Sequence, residues 1–372
     1  MKVGFDASAA TQRAGIGRYT AGLLRGLQAV LPERTLVLTW HSGGPPPAQV
    51  TQGPALDRIV RLPFSTHVGE ILWQRLCLPV PIELFTGPVS VFHGPNYMLP
   101  PLRHAHGVVT IHDLSFLRCP QYAHPGLAAF LNRAVRRSAQ RATAILADSR
   151  NTAVDVFELL GVPQERIRVA YPGVGPPFGV DAVPGERDYL RARFGLERPY
   201  FLCVGTVEPR KNYGAIAKAF LEVRSKGFPG ELVVAGAIGW GAAPALCVFR
   251  ETGNSIRLLT AVTDDELAAL YRHAVALVYA PHYEGFGLPA LEAMASGTPL
   301  ILARNSSLPE VGGEAAFYCD TSAQSIAAAM FALLEAGQVE LQERIQCGLQ
   351  RARRFTWESM ASEVLEVYRA LA

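Results

Sequence analysis

The chain has 372 residues, of which 49% are hydrophobic and 18% are charged, a composition typical of a folded protein of about two domains. Its 35 basic and 32 acidic residues nearly balance, at a net charge of +3. No block of five or more Lys or Arg residues occurs. Nucleic acid is therefore not expected as a partner.

Short apolar runs rich in β-branched residues alternate with turn signals and helical patterns, which predicts parallel sheets. The first half of the chain has seven such runs, at residues 2–8, 35–40, 58–63, 89–95, 107–113, 143–149 and 166–173. Helices are predicted between them at residues 17–27, 126–140 and 151–160. Residues 171–188 are dense in Gly and Pro, have no periodicity and are predicted to form a linker.

The second half repeats the pattern. Its strands are predicted at residues 200–206, 231–236, 256–262, 275–281, 299–304 and 315–319, with helices beginning near Asn212, Asp264, Gly287 and Ser322. The sequence thus predicts an α/β protein of two doubly wound, Rossmann-like domains that face each other across a cleft. We assign residues 1–178 and 179–355 to these domains. The amphipathic segment 356–372 is predicted to be a helix that packs back on the first domain.

The six cysteines are far apart and form no C-x-x-C pair, so they are expected to be reduced and buried. They are Cys77, Cys119, Cys203, Cys247, Cys319 and Cys347. The chain opens directly into a strand pattern without a signal-peptide pattern, and no apolar stretch reaches the ~18 residues of a membrane span. These patterns predict a cytoplasmic protein.

Two cations, Arg210 and Lys211, follow the strand run at 200–206 and precede a predicted helix. The macrodipole disfavours positive charge at a helix N-terminus unless an anion such as a diphosphate is bound there. A solvated Arg–Lys turn is the alternative.

Glycines and polar residues also lie at strand ends in the first half. Gly15 and Gly17 open a predicted helix after the first strand and allow a phosphate or sugar to approach the backbone, although glycines also occur there for purely conformational reasons. His112 and Asp113 end the run at 107–113. They indicate substrate contact or acid/base chemistry, or else a capping Asp beside a surface His.

Two further patterns concern metals and membranes. The sequence has no H-E-x-x-H motif, no Cys/His cluster and no D-x-D pair, so no metal is expected. Arg133, Arg136, Arg137 and Arg141 crowd one predicted helix. That helix is either a solvated face or a peripheral contact with anionic lipid at the inner face of the plasma membrane.

Residues 281–300, PHYEGFGLPALEAMASGTPL, place Glu284 at the end of a strand pattern and Glu292 in the first turns of the next helix, both expected to face the cleft. EGFGLPALE resembles the E-x7-E signature of the retaining glycosyltransferases of family 4, which have the two-domain B-type (GT-B) fold. The resemblance spans nearly the whole chain. It also includes GIGRYTAGLL, TIHDLSF, ADSRNTAVDV, YPGV, VGTVEPRKN and NSSLPEVGGEAA. The set is most similar to bacterial mannosyltransferases of O-antigen and exopolysaccharide assembly.

The resemblance implies a role for each matching residue. Glu284 and the loop at Gly285, Phe286, Gly287 and Leu288 would hold hydroxyls of the donor sugar. Glu292 would bind the ribose, and Leu308 and Glu310 would lie near the nucleoside. Arg210 and Lys211 would neutralise the diphosphate, His112 would lie beside the transferred sugar, and Gly15 and Gly17 would let the donor phosphates or the acceptor approach.

One position departs from the family pattern. Many relatives carry an arginine directly after the glycine of the strand-end motif, whereas Thr206 follows Gly205 here. The phosphate charge would then be met by Arg210, Lys211 and the Thr206 hydroxyl.

The resemblance implies a metal-independent hexosyl transfer without a cofactor, with the acceptor on the first domain and a nucleotide-sugar on the second. GDP-mannose is the preferred donor, and UDP-glucose, UDP-N-acetylglucosamine and a deoxysugar nucleotide are alternatives. The acceptor would be a saccharide or a lipid-linked saccharide. A non-catalytic nucleotide-sugar-binding subunit, an epimerase and a phosphorylase are the competing classes, because a fold does not fix an activity.

Overall fold

The computed structural model describes residues 1–12, 15–41, 46 and 51–372, without the side chain of Asn254. The chain forms two compact units. The first comprises residues 1–120, 125–173 and 355–372, and the second comprises residues 121–124 and 174–354. The chain passes to the second unit after Gly173, inside the predicted linker and a few residues before the predicted boundary at 178.

The first unit is built on a parallel sheet of seven strands in the order β3-β2-β1-β4-β5-β6-β7. Its strands are β1 Val3–Asp6, β2 Leu36–His41, β3 Leu56–Leu62, β4 Val91–Gly94, β5 His106–Ile111, β6 Ala144–Ala147 and β7 Ile167–Val169. Each corresponds to one of the seven predicted runs. Near-continuous apolar sequence is typical of parallel strands covered on both faces.

Six helices of the first unit, besides its C-terminal helix, lie within the described residues. They are α1 Gly15–Val30, α2 Thr66–Glu70, α3 Glu83–Thr86, α4 Ser115–Arg118, α5 Pro125–Arg141 and α6 Arg150–Leu160. Short turns of other helical types occur at Ser8–Thr11, Ile71–Arg75, Pro120–Tyr122 and Gln164–Arg166.

The second unit has a parallel sheet of six strands in the order β10-β9-β8-β11-β12-β13. The strands are β8 Tyr200–Val204, β9 Glu231–Ala235, β10 Ile256–Leu259, β11 Ala276–Tyr279, β12 Leu300–Ala303 and β13 Ala316–Cys319. Its helices are α7 Glu186–Phe194, α8 Tyr213–Ser225, α9 Ala243–Glu251, α10 Asp264–His273, α11 Leu288–Ala295, α12 Leu308–Gly312, α13 Ala323–Glu335 and α14 Gln338–Ala352. Short 3-10 turns occur at Pro209–Lys211, Gly253–Ser255 and Gly313–Ala315.

The C-terminal helix α15, Trp357–Leu371, packs on the first unit against α1. A Cβ atom at Gly22 would lie 2.3 Å from the Trp357 ring, and one at Gly26 would lie 2.3 Å from the Trp357 carbonyl oxygen. Only glycine permits this close approach. At the far end of α15, the Tyr368 hydroxyl lies 2.6 Å from Nδ1 of His93, a buried residue of β4.

Three sequence-based expectations need correction. Helix α7 begins at Glu186, inside the stretch predicted as a linker without helix, because Gly185 adopts a positive φ of 79° that turns the chain into it. Helices α9 and α14 were not predicted. All six cysteines are free as expected, but Cys77 and Cys247 are exposed. Among the described residues, no helix has both the length and the apolar character needed to cross a membrane.

Candidate active site

A cluster of charged and phenolic side chains lies at the carboxyl edge of the second sheet. The turn Pro209–Lys211 follows β8, and the loop after neighbouring β11 carries Glu284. Lys211 Nζ donates to Glu284 Oε2 and to the Tyr279 hydroxyl, both at 2.6 Å. That hydroxyl in turn donates to Glu284 Oε2 at 2.6 Å. The structure therefore brings together Lys211 and Glu284, two residues far apart in sequence.

Arg210 completes the cluster from the same turn. Its Nη1 donates to Glu284 Oε2 at 3.2 Å and to the Tyr283 carbonyl at 2.9 Å. Its Nη2 donates to Glu208 Oε1 at 2.8 Å. Two cations and two carboxylates thus alternate along the end of the sheet. Glu208 and Tyr279 were not predicted, because nothing in the local sequence distinguishes them from a solvated Glu and a strand Tyr.

The cluster keeps Glu284 ionised. Burial alone would raise the pKa of Glu284, but the positive charges of Lys211 and Arg210 outweigh it and lower the pKa to about 2. Burial lowers the pKa of Lys211, and Glu284 opposes that shift. Since only 15% of the Glu284 side chain is exposed, its charge is little screened by water. At neutral pH the site presents a carboxylate held between two cations.

The loop between Glu284 and α11 is fixed by the serines of the motif NSSLPEVGGEAA. Ser306 Oγ accepts a hydrogen bond from the Glu284 amide at 3.0 Å. Ser307 Oγ lies 2.9 Å from the carbonyl oxygens of Glu284 and Phe286. Gly287, with φ +105°, precedes Leu288, the first residue of α11. A Cβ atom at Gly287 would lie 2.7 Å from Leu308, so this position requires glycine.

The second glutamate of the motif is buried instead of facing a cleft as expected. Glu292 is 2% exposed, and its Oε2 accepts a hydrogen bond from the Tyr271 hydroxyl at 3.0 Å. Leu308 is fully buried beneath the loop. The backbone carbonyl of Glu310 accepts a hydrogen bond from Arg351. The difference arises because residues 290–294 of α11 are all buried, so the helix is enclosed on every side at Glu292.

The strand-end pair Gly205 and Thr206 borders the cluster. Gly205 has φ +130°, and a Cβ atom there would lie 3.6 Å from Cε of Lys211. Its bare backbone therefore lies beside the lysine side chain. Thr206 is partly exposed.

In the first unit, the predicted residue His112 forms a hydrogen-bonded pair with Asp148. Its Nδ1 lies 2.8 Å from Asp148 Oδ2. The pairing of Ile111 with Ala147 in β5 and β6 explains this contact, because the next residue of each parallel strand reaches the same edge. Asp148 was not predicted, although it is the next-to-last residue of the run TAILADS. The Oδ1 atom of Asp113 accepts a hydrogen bond from the Ser115 amide at 2.8 Å, while the side chain of His112 is about nine-tenths buried and is not the surface His of the alternative.

Aromatic rings hold His112 in place. Tyr19 of α1 and Tyr97 both pack edge-on against it, at centroid distances of 4.6 and 5.3 Å. Burial would lower the pKa of His112, but the charge of Asp148 and the hydrogen bond to it raise the pKa. Within the described ranges, the buried Nε2 atom of His112 has no hydrogen-bond partner of normal geometry. The Pro95 backbone lies close enough to the ring to raise the pKa of His112 as well.

The two glycines predicted to admit a ligand have different surroundings. Gly15 is the first residue of α1 and is exposed. Gly17 is buried, and a Cβ atom there would lie 1.7 Å from the Gln12 carbonyl oxygen. Glycine is therefore required at position 17 because the preceding loop approaches so closely. This agrees with the alternative that the glycine is there for a conformational reason. Residues 13 and 14 of that loop lie outside the described residues.

No group of three or more His, Cys, Asp or Glu residues that could hold a metal ion occurs in the part of the chain that the structure describes. The charge at the second sheet's edge is instead carried by side chains, with Arg210 and Lys211 as its cations.

Two Rossmann-like domains with parallel sheets, one of which carries paired cations and a carboxylate at its strand ends, define a glycosyltransferase of the GT-B fold. Residues 187–369 match the family model for Glycosyl transferases group 1, and residues 13–176 match that for Glycosyltransferase Family 4. The chain belongs to glycosyltransferase family 4.

Individual relatives agree with this membership. The chain is 32% identical to the O-antigen chain mannosyltransferase B of Escherichia coli, over 96% of both chains. Among solved structures, it is similar to sucrose-phosphate synthase from Thermosynechococcus elongatus, with a TM-score of 0.77 and 17% identity over 100% of this chain and 99% of that one. WaaG, a glycosyltransferase involved in lipopolysaccharide biosynthesis, gives a TM-score of 0.70 and 15% identity, over 98% of this chain and 99% of that one. At these identities the solved structures bear on the fold alone.

Proposed function

We propose that this glycosyltransferase moves a mannosyl group from GDP-mannose to a saccharide or lipid-linked saccharide in the synthesis of O-antigen or a related polysaccharide. The anomeric configuration is retained and no metal is required. The similarity to an O-antigen mannosyltransferase along nearly the whole chain supports the sugar and the pathway. The observation that carries the proposal is the cluster of Lys211 and Arg210 around Glu284.

The cluster suits a diphosphate. In the present arrangement, Glu208 and Glu284 occupy the hydrogen-bonding groups of the two cations. A diphosphate offers stronger, multiply charged acceptors and would replace the two glutamates as the hydrogen-bond partner of Lys211 and Arg210. Glu284 would then be free to accept hydrogen bonds from hydroxyls of the donor sugar, close to the reacting carbon.

Each residue of the cluster then has its own role in the transfer. As the bond to the sugar breaks, positive charge grows on the sugar ring and negative charge on the departing diphosphate. Lys211 and Arg210 stabilise the diphosphate, and such prepositioned donors contribute ~3–4 kcal/mol each. Glu284 faces the positive charge of the ring. The acceptor hydroxyl attacks the front face, and the leaving phosphate oxygen takes its proton, so neither a carboxylate nucleophile nor a metal is needed.

A transfer assay followed by proton NMR tests the proposal. Protein, GDP-mannose and an α-linked mannobiose acceptor should yield GDP and a new α-mannosidic linkage, at the same rate in EDTA. A β-linked product would contradict retention, and activity lost in EDTA and restored by magnesium or manganese would contradict metal independence. UDP-glucose, UDP-N-acetylglucosamine and a deoxysugar nucleotide serve as competing donors. Faster transfer from one of them would overturn the choice of mannose.

We further propose that the protein works in the cytoplasm and meets the inner face of the plasma membrane peripherally. The exposed side of α5 carries Arg133 and Arg136, and Leu76 and Leu127 are 60% and 55% exposed in the same unit. Cationic and apolar groups together favour anionic lipid. Sedimentation with vesicles should show binding to phosphatidylglycerol and much less to phosphatidylcholine, and equal sedimentation with both would contradict the electrostatic contact.

A further inference from the structure

The first unit contains a second polar site, a cavity of about 50 Å³ at the carboxyl ends of β1, β2 and β3. The residues that carry its chemistry are Asp6, His41, Glu70, Trp73 and Gln74. His41, Trp73 and Gln74 are more than nine-tenths buried, whereas Asp6 is one-third exposed and leaves one side open to solvent.

The polar atoms of this cavity are mainly hydrogen-bond acceptors. Nδ1 of His41 lies 3.3 Å from the Phe64 carbonyl oxygen, which can only accept, so Nδ1 carries a proton. Nε2 of the same ring faces Asp6 Oδ2 at 4.0 Å, too far for a direct hydrogen bond. The gap between the two atoms leaves room for a hydroxyl group that donates to the Asp6 carboxylate.

Gln74 adds a buried acceptor whose hydrogen bond is missing. Its Nε2 donates to the Leu99 carbonyl at 3.4 Å, which fixes the orientation of the amide. Its Oε1 is buried and has no partner within residues 1–12, 15–41, 46 and 51–372. A buried acceptor without a partner destabilises the fold, so a hydrogen-bond donor from a ligand would remove that cost.

Glu70 and Trp73 complete the walls. Burial raises the pKa of Glu70 above its usual range, against the opposing effects of His67 and Arg75. Trp73 Nε1 donates to the Val80 carbonyl at 3.0 Å, which holds the indole in place. An indole beside several acceptors is a combination that suits sugars, which have apolar C–H faces and hydroxyl donors.

We infer that this cavity binds the exocyclic hydroxymethyl group of a neutral sugar in the acceptor. The inference rests on the proposed function, since it concerns the acceptor of that reaction. A cavity of about 50 Å³ admits such a group but not a whole pyranose ring. The described lining contains two carboxylates and neither Lys nor Arg, so a phosphorylated sugar would be repelled.

The position in the sheet indicates which sugar is bound. Strand β4 lies between β1 and β5, so the end of β1 is about 10 Å from the end of β5, where His112 lies, at ~4.8 Å per strand. Two linked sugar rings span about that distance. The cavity therefore binds the acceptor sugar next to the acceptor sugar that reacts near His112. Recognition then requires an acceptor of at least two sugars.

Ligand-observed NMR titration of the full chain tests this inference. The ligands are methyl α-mannobioside, the same disaccharide built from 6-deoxymannose, and mannose 6-phosphate. Gln74→Leu and Glu70→Gln remove one acceptor and one charge from the cavity. Gln140→Leu and Glu33→Gln make the same changes at exposed positions of the same unit, and thermal melting checks that each variant is folded.

We expect mannobioside to bind the parent and both control variants equally, and to bind Gln74→Leu and Glu70→Gln about tenfold or more weakly. The 6-deoxy disaccharide should bind the parent as weakly as mannobioside binds Gln74→Leu. Absence of mannobioside binding to the parent, equal binding by parent and cavity variants, or tighter binding of mannose 6-phosphate would each overturn the inference. GDP binding, measured in parallel, should be the same in all variants. Failure of the parent to bind GDP would instead count against the proposed function.

Discussion

Asp148 Oδ2 accepts a hydrogen bond from His112 Nδ1 at 2.8 Å, and both side chains are about nine-tenths buried. The contact commits Nδ1 to Asp148 and fixes the orientation of the ring, with Nε2 buried on its other side. Asp148 is thus a positioning residue for His112.

Asp148→Asn keeps the shape of the pair and removes its negative charge. The raised pKa of His112 depends on that charge, so the pKa should fall, as measured by NMR titration of the imidazole. A raised folded-state pKa stabilises the protein fully below the unfolded value of ~6.5, and this contribution is lost as the pH rises through the folded-state pKa. Between pH 6 and pH 8, deprotonation of His112 lowers the unfolding free energy of the parent. This decrease should therefore be smaller in the variant.

A matched control for that variant is Asp181→Asn, at an exposed position, which should leave the titration of His112 unchanged. Turnover by Asp148→Asn should fall while the donor KM stays constant, because the imidazole remains but loses its orientation. An unchanged His112 pKa together with unchanged turnover would show that the pair has no role in positioning.

Variants of Tyr271 and Glu292 distinguish a role of Glu292 in ligand binding from a role in packing. Tyr271→Phe removes the hydroxyl that donates to buried Glu292, which should lower the unfolding free energy by about 1–3 kcal/mol and leave GDP affinity unchanged. If Glu292 binds the ribose, Glu292→Gln should weaken GDP about tenfold or more, since a charged hydrogen bond contributes ~1.5–3 kcal/mol. Calorimetry that finds parental GDP affinity in both variants would make Glu292 a structural residue only.

The contact of the C-terminal helix with α1 predicts a large effect of a small substitution. Gly26→Ala would place Cβ 2.3 Å from the Trp357 carbonyl oxygen and 2.9 Å from the Ala361 Cβ, so the unfolding free energy should fall by about 1–3 kcal/mol. Gly214→Ala, in a helix with no atom within 4 Å of the added Cβ, should be neutral or slightly stabilising. Equal denaturation midpoints for Gly26→Ala and the parent would contradict the tight packing of α15.

The thirteen strands and their parallel arrangement could be predicted, because each strand is a local apolar run bounded by turn signals. The same runs and turn signals predicted that the candidate site residues His112, Arg210, Lys211 and Glu284 lie at strand ends. The prediction failed where the local sequence did not distinguish a helix from a loop. Helix α7 begins among residues of a Gly- and Pro-rich stretch, and its polar sequence lacks the apolar stripe that predicts a helix.

The partners within the sites could not be predicted, because they depend on which strands are neighbours. Asp148 meets His112 only through the register of β5 and β6, and Tyr279 meets Lys211 only because β11 lies beside β8. Glu292 was expected in a cleft because it follows Glu284 in a familiar motif. Its burial depends on how α11 faces the unit, which one-dimensional spacing does not determine.

Calorimetric titration of GDP into the parent, Lys211→Gln and Glu284→Gln tests the central claim, that this cluster holds the diphosphate of a nucleotide-sugar. Lys226→Gln, at the other end of α8 and exposed, is the matched control and should bind like the parent. Lys211→Gln should bind GDP roughly 10–150-fold more weakly, as expected for loss of a charged hydrogen bond of ~1.5–3 kcal/mol. Glu284→Gln should bind GDP at least as tightly as the parent, because the carboxylate that neutralises Lys211 is gone, while its turnover falls roughly 10–1000-fold. Parental GDP affinity in Lys211→Gln, or an equal loss of affinity in both variants, would contradict the account.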